Sequence, residues 1–160
     1  VESTLFRVPR YVFEDSSDVI RDMFLFPSGA QAAEGLSDES PITLQETSSW
    51  DFKQLLRAMF CRYVECTPPT TFDEWVAVIK LTHRWEMTAL YQFAVKQAHR
   101  LPNVDPVERL VLARTYDIHD WVRPAIYDIL RREEPSQPLS QKDVAKLGLD
   151  VVLELARTRE

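Results

Sequence analysis

By type, the side chains best suited to nucleophilic, acid–base or metal chemistry are Cys61, Cys66, His83, His99 and His119. Their spacing argues against all three. Cys61 and Cys66 lie five positions apart and lack the second ligand pair that a tetrahedral zinc site needs. His83 stands between Thr82 and Arg84, His99 beside Arg100, and His119 near Asp117 and Asp120. No two of these histidines and cysteines stand at paired ligand spacing, so each histidine reads as a surface or helix-end residue. Gly29, Gly35 and Gly148 are too far apart to build a dinucleotide fingerprint or a P-loop. Neither a Gly-x-Ser-x-Gly elbow nor a His-Glu-x-x-His helix occurs. No catalytic, metal or cofactor-binding residue is assigned, and no cofactor is expected. No recognisable nucleophile setting stands in the sequence, and an enzyme built from dispersed Asp, Glu, His and Ser is the remote alternative to the non-enzymatic reading that the family resemblance below implies.

Composition narrows the classes further. The chain has 160 residues, 45% of them hydrophobic, enough apolar mass for one domain, or one domain with an appendage. A net charge of −6 without a basic stripe argues against nucleic acid or an anionic membrane as partner. The arginines are scattered, from Arg7, Arg10 and Arg21 to Arg100, Arg109, Arg114, Arg123, Arg131 and Arg132. No apolar run is long enough to span a bilayer and no signal segment opens the chain, so an intracellular, cytoplasmic or nuclear, protein is expected. Free, buried or half-buried thiols are expected at Cys61 and Cys66 in such a compartment. Opening on Val1 rather than Met, the chain reads as a fragment with further sequence upstream.

The elements that must position these residues follow from periodicity. Residues 3–8 alternate enough to read as a short strand, and residues 42–44 (Ile42, Thr43, Leu44) as another. Pro9 suits a first helical position, with Tyr11 and Val12 or Phe13 on the buried side. Ser16 or Ser17 caps a second short helix carrying Val19, Ile20, Met23 and Phe24. Residues 27–41 read as an acidic surface loop. The wider span 22–52 holds six carboxylates and no Lys or Arg, which reads as a solvated acidic stretch. Phe52, Leu55, Leu56, Met59, Phe60 and Tyr63 form a helical stripe capped by Ser48 or Ser49. Thr71 with Glu74 predicts a capping box, and Thr88 a cap after a break at 85–87. Asp105-Pro106 marks a further helix start, followed by a helix over 121–132 with Pro124 in its first turn. Residues 133–138 read as a polar link. Ser140 and Asp143 open a helix that ends before Gly148, and Leu149, Val152, Leu153 and Ala156 belong to the last one. Trp50, Trp75, Trp85 and Trp121 fall on or near helix ends, as core or hinge residues or as interface anchors.

The order of these features resembles a known family. Thr4-Leu5-Phe6-Arg7-Val8-Pro9 runs through Ser16-Ser17 into Val19-Ile20-Arg21-Asp22-Met23-Phe24. This resembles the strand, short helix and Ser-x-x-Phe-Arg-x-Met-Phe helix of the BTB/POZ domain. Ile20 stands at the usual aromatic place, and Pro9 where many members carry histidine. Ile42-Thr43-Leu44 followed by Ser48 to Phe60 looks like the next strand and helix. Trp85-Glu86-Met87-Thr88-Ala89-Leu90 is similar to the Tyr-x-Met-x-x-Leu helical turn. The acidic insertion is of a kind common in fungal (basidiomycete-like) members, as is a helical C-terminal extension. The turn that usually follows the third helix is replaced by Cys61-Arg62-Tyr63-Val64-Glu65.

The resemblance implies an α+β, mainly helical fold, with a small β-sheet flanked by helical hairpins and then an all-helical extension. It places a BTB/POZ-like domain over 1–100, its first strand upstream of Val1, and the extension over 101–160. The implied function is protein–protein interaction: homo-oligomerisation or scaffolding through helical surfaces, with the chain itself as partner. An adaptor that brings substrates to a cullin ubiquitin ligase is the alternative. No individual binding residue is assigned.

Overall fold

A computed structural model of the chain describes residues 1–25, 35, 37–61, 66–131 and 140–158, the side chains of 154–156 and 158 excepted. The expected Tyr63, the link 133–138, the Ala156 side chain and most of the 27–41 loop lie outside the described residues. The described residues form two compact units, Val1–Arg100 and Leu101–Glu160. No described helix is long and apolar enough to cross a membrane.

The first unit carries α1 (Arg10–Ser16), α2 (Asp18–Leu25), α3 (Ser49–Phe60), α4 (Phe72–Arg84) and α5 (Thr88–His99). The second carries α6 (Pro106–Thr115), α7 (His119–Leu130), α8 (Gln141–Leu147) and α9 (Leu149–Thr158).

The expected β-sheet is not present: the described residues contain helices and no strand. Residues 3–8 and 42–44 follow the chain outside any helix, and both line a cleft instead of pairing with each other. A strand exists only when its N–H and C=O groups ladder with a neighbour. No backbone hydrogen bond joins the two segments, so period-two patterning alone did not make a sheet.

Most helix starts follow from local chemistry. The Thr71 hydroxyl accepts from the Glu74 amide at 3.3 Å, and the Glu74 carboxylate accepts from the Thr71 amide at 3.1 Å, completing the capping box of α4. Ser140 and Asp143 do the same for α8. Ser48 caps α3 through the Asp51 amide at 2.9 Å, and Asp105 caps α6 through the Val107 amide with Pro106 at the first helical position. Four details differ from expectation. Pro9 is the N-cap of α1 and not its first helical residue, because its extended backbone stands just outside the helix. Phe13 is the buried residue of α1, whereas Tyr11 is exposed. Met87, not Thr88, occupies the N-cap of α5, held there by the turn described next. Helix α7 begins at His119, so Pro124 lies past the first turn. Both Pro124 and Asp120, whose carbonyl loses its donor, are exposed, which leaves that carbonyl open to water.

The hairpins α4–α5 and α6–α7 use one turn twice. Trp85 donates to the Leu81 carbonyl at 3.0 Å and Met87 to that of Thr82 at 2.9 Å. Tyr116 donates to Leu112 at 3.0 Å and Ile118 to Ala113 at 2.8 Å. The central residues, Glu86 (φ 52°) and Asp117 (φ 56°), are both left-handed. Burial keeps the same register on either side of them: Ile79 matches Leu110, Thr82 matches Ala113, Met87 matches Ile118, Ala94 matches Ala125, and Ala98 matches Ile129. An aromatic, an acidic and an apolar residue therefore encode the same reversal in each unit. Small Ala94 and Ala125, fully buried, let the paired helices approach closely.

The second unit packs around Val107, Leu110, Ala125, Ile129 and Leu147, with Val151 and Val152 of α9 against them. Leu149 and Leu153 of the same helix point to solvent. Gly148 joins α8 to α9 at φ 81° and ψ 152°, a conformation only glycine adopts at low energy.

Candidate functional site

The α1–α2 pair and its surroundings form the most differentiated surface of the first unit. Ser17 separates the two helices and is 3% exposed. Its hydroxyl accepts from the Ile20 amide at 3.0 Å, capping α2, and donates to the Trp85 carbonyl in the α4–α5 turn. The expected cap is therefore Ser17, and it also fixes α2 against a distant element.

Helix α2 carries one wide apolar stripe made by Val19, Ile20, Met23 and Phe24. Ile20 is 3% exposed and Phe24 half-buried, and these two point inward one turn apart. Val19 and Met23, also one turn apart, form the open edge of this stripe at 39% and 40% exposure, and Met23 also lines the cleft described next. Leu25, on the other side of α2, and Tyr11 of α1 are 63% and 66% exposed. Arg10 flanks this surface: it pairs with Glu14 at 2.6 Å, and its guanidinium lies 4.6 Å from the Phe24 ring centroid. Arg21 pairs with Asp18 on the exposed side of α2.

Below α1 and α2 lies an aromatic cluster. Phe52 meets Phe6 edge-on at 5.0 Å, Phe13 in a stack at 6.0 Å and Trp85 edge-on at 6.2 Å. Each such pair contributes about 0.5–1.5 kcal/mol beyond the area it buries. The cluster floors a cleft of about 790 Å³ whose walls include residues 3–8 and 42–44. Arg7 and Asp38 form an ion pair at its rim. That contact and the Ser49 hydrogen bond to Glu2 hold the Asp38 and Glu2 carboxyls below the usual carboxylate range.

The acidic span 22–52 is not simply solvated. Asp38 pairs with Arg7, Asp51 with Lys80 at 2.7 Å, and Glu46 with Arg84 at 3.3 Å. The missing local cations are replaced by cations from outside the span. A local charge count could not find these pairs, because each partner lies at least 29 residues away.

A second polar constellation joins α3 to α4. The Arg57 guanidinium donates to the Thr67 carbonyl at 2.7 Å, the Pro68 carbonyl at 2.9 Å, the Glu74 carboxylate at 2.6 Å and the Gln54 side chain. Glu74 also accepts from the Thr70 amide at 2.7 Å. The Thr70 and Thr71 amides and Arg57 hold the Glu74 carboxyl down to about 2, against the desolvation that opposes them. Every oxygen of this carboxylate is occupied by a stationary partner, so it acts as a structural clamp and not as a proton shuttle.

The remaining candidates are dispersed. His83 ends α4 with its ring 5.9 Å from that of Tyr91, His99 closes α5, and His119 opens α7; all three are exposed. Among the described residues, no group of three His, Cys, Asp or Glu side chains could hold a metal ion. Cys61 and Cys66 are free thiols. Of the tryptophans, Trp75, Trp85 and Trp121 are buried, and Trp50 is half exposed near the start of α3.

No protein-family model matches the chain, and no curated protein matches it either.

Proposed function

We propose that this chain is a non-catalytic protein–protein interaction module of the BTB/POZ kind, acting by self-association or as a scaffold through helical surfaces. The carrying observation is the exposed edge of the α2 apolar stripe, Val19 and Met23, beside Ile20 and Phe24, which already pack inward. The stripe packs through its buried residues, and the edge left open at Val19 and Met23 is available to a partner. The occupant proposed is a second copy of the chain. The patch is apolar at its centre, and Asp18, Arg21 and Asp22 at its edge supply both signs of charge, as a self-complementary twofold contact requires.

The order of sequence motifs supports the same reading, and it does so through the helices: the Ser17 cap, the α2 stripe and the Trp85-Glu86-Met87 turn. Light scattering on the whole chain, from low to high micromolar concentration, tests the proposal. A rising mass with concentration is the expected outcome. A constant monomer mass overturns self-association, and capture of a cullin N-terminal region by that monomer would move the function to the adaptor reading.

A further inference from the structure

Residues 3–8 and 42–44 both border the cleft of about 790 Å³, and neither segment belongs to a helix. Among the described residues, the amides and carbonyls of residues 5–8 and 42–44 make no hydrogen bond to another backbone group. Side chains alternate along both segments. Phe6 and Val8 are half-buried between exposed neighbours, and Ile42 and Leu44 are half-buried on either side of exposed Thr43. Alternation of this kind belongs to extended chain, whose side chains leave the backbone edges free for pairing. The floor between the segments is apolar: Phe52 meets Phe6 at 5.0 Å, Phe13 at 6.0 Å and Trp85 at 6.2 Å. Backbone groups beside such a floor gain more from a fixed partner than groups in open water do.

We propose that this cleft binds an extended peptide of another protein, about six residues long with an apolar side chain at every second position, held by main-chain hydrogen bonds from both segments. The walls set the occupant's chemistry. A peptide main chain offers donors and acceptors along both edges at the spacing of extended chain, and its alternate side chains supply specificity. Six bordering residues, 3–8, span about 20 Å at about 3.3 Å each, which fixes the length. The apolar row of the peptide rests on the aromatic floor and the other row faces water. The site differs from the open edge of α2: of Val19 and Met23, Met23 borders the cleft and Val19 does not.

The probe is the capped hexapeptide Thr-Val-Thr-Val-Thr-Val, titrated into the whole chain. Binding is followed by tryptophan fluorescence, since Trp85 lines the cleft, and by amide hydrogen exchange. Saturable binding is expected, with exchange slowed about tenfold or more in residues 5–8 and 42–44. Successive amides of an extended chain point to opposite edges, so methylating the threonine or the valine amides of the peptide disarms one edge at a time. Each methylated peptide is expected to bind about tenfold more weakly, the scale of one or two lost hydrogen bonds. Equal binding of the methylated peptides would reduce the cleft to a greasy surface and overturn the proposal, as would no binding or protection elsewhere. Protection of both segments in the chain alone, rising with its concentration, would make a second copy the occupant and also overturn it. None of these outcomes bears on self-association through α2, which is read from the mass of the chain without peptide.

Discussion

The hydroxyl of Ser17 donates to the carbonyl of Trp85, 68 residues further along, while accepting from the Ile20 amide three residues ahead. The Ser17 amide ends α1 at the Phe13 carbonyl, and the one buried hydroxyl begins α2 and fastens it to the α4–α5 turn. The orientation of α2, and so which edge of its apolar stripe stays open, is held by this bond.

Removing that oxygen has two consequences. Ser17→Ala leaves the α2 terminus uncapped and the Trp85 carbonyl without its donor in a buried place. A loss of about 2–3 kcal/mol is expected, from a lost cap of roughly 1 and a buried unsatisfied group of about 1–2. Urea unfolding measures it. A change below about 0.5 kcal/mol, the size typical of an ordinary surface substitution, would show that the bond does not anchor the turn.

The Arg57–Glu74 clamp gives a pH signature. The Glu74 carboxyl is lowered from 4.5 to about 2, so the folded state holds the carboxylate more firmly than the unfolded chain does. Its stabilisation is complete above about pH 4.5 and is lost as pH falls through about 2. Glu74→Gln is expected to lower stability at pH 7 by about 2 kcal/mol, the scale of a hydrogen bond to a charged group, and to flatten this part of the acid limb. Thermal unfolding of both proteins from pH 7 to pH 2 reads the difference.

The repeated turn makes a comparative prediction. Left-handed backbone costs a non-glycine residue about 1–2 kcal/mol, and Asp tolerates it better than Glu. Glu86→Gly is expected to be neutral or to stabilise by up to about 1 kcal/mol, with Asp117→Gly gaining less. Glu86→Val should destabilise, because a branched side chain crowds this conformation. Denaturation midpoints of the three variants give the ranking.

Pro124 lies beyond the first turn of α7, where it removes one helical hydrogen bond from an exposed face. Pro124→Ala restores the donor to the Asp120 carbonyl. A gain of about 1–3 kcal/mol is expected, up to the full intrinsic penalty of a proline within a helix. Unchanged thermal stability would mean that the helix has already adapted around the ring.

What the sequence made legible divides along the range of the interactions involved. Ser48, Thr71 with Glu74, Asp105 with Pro106, and Ser140 with Asp143 begin their helices through atoms two to four residues away, so their types and spacing sufficed. Residues 3–8 and 42–44 carry strand-like patterns, but a strand is a relation between segments, and these segments do not pair. The Asp38, Glu46 and Asp51 partners, and the second bond of Ser17, join residues at least 29 positions apart and leave no local trace. The open edge of the α2 stripe was half visible: Val19, Ile20, Met23 and Phe24 are all apolar, and only packing decides which pair is left at the edge.

That edge carries the functional account, and two substitutions on it test the account without touching the core. Val19 and Met23 are replaced together by aspartate, and sedimentation equilibrium of the whole chain is compared with wild type across the micromolar range. The wild type is expected to associate with rising concentration, and the doubly substituted chain to stay monomeric with unchanged helix content by circular dichroism. Equal association of both proteins would contradict the account, as would a wild type that is monomeric throughout.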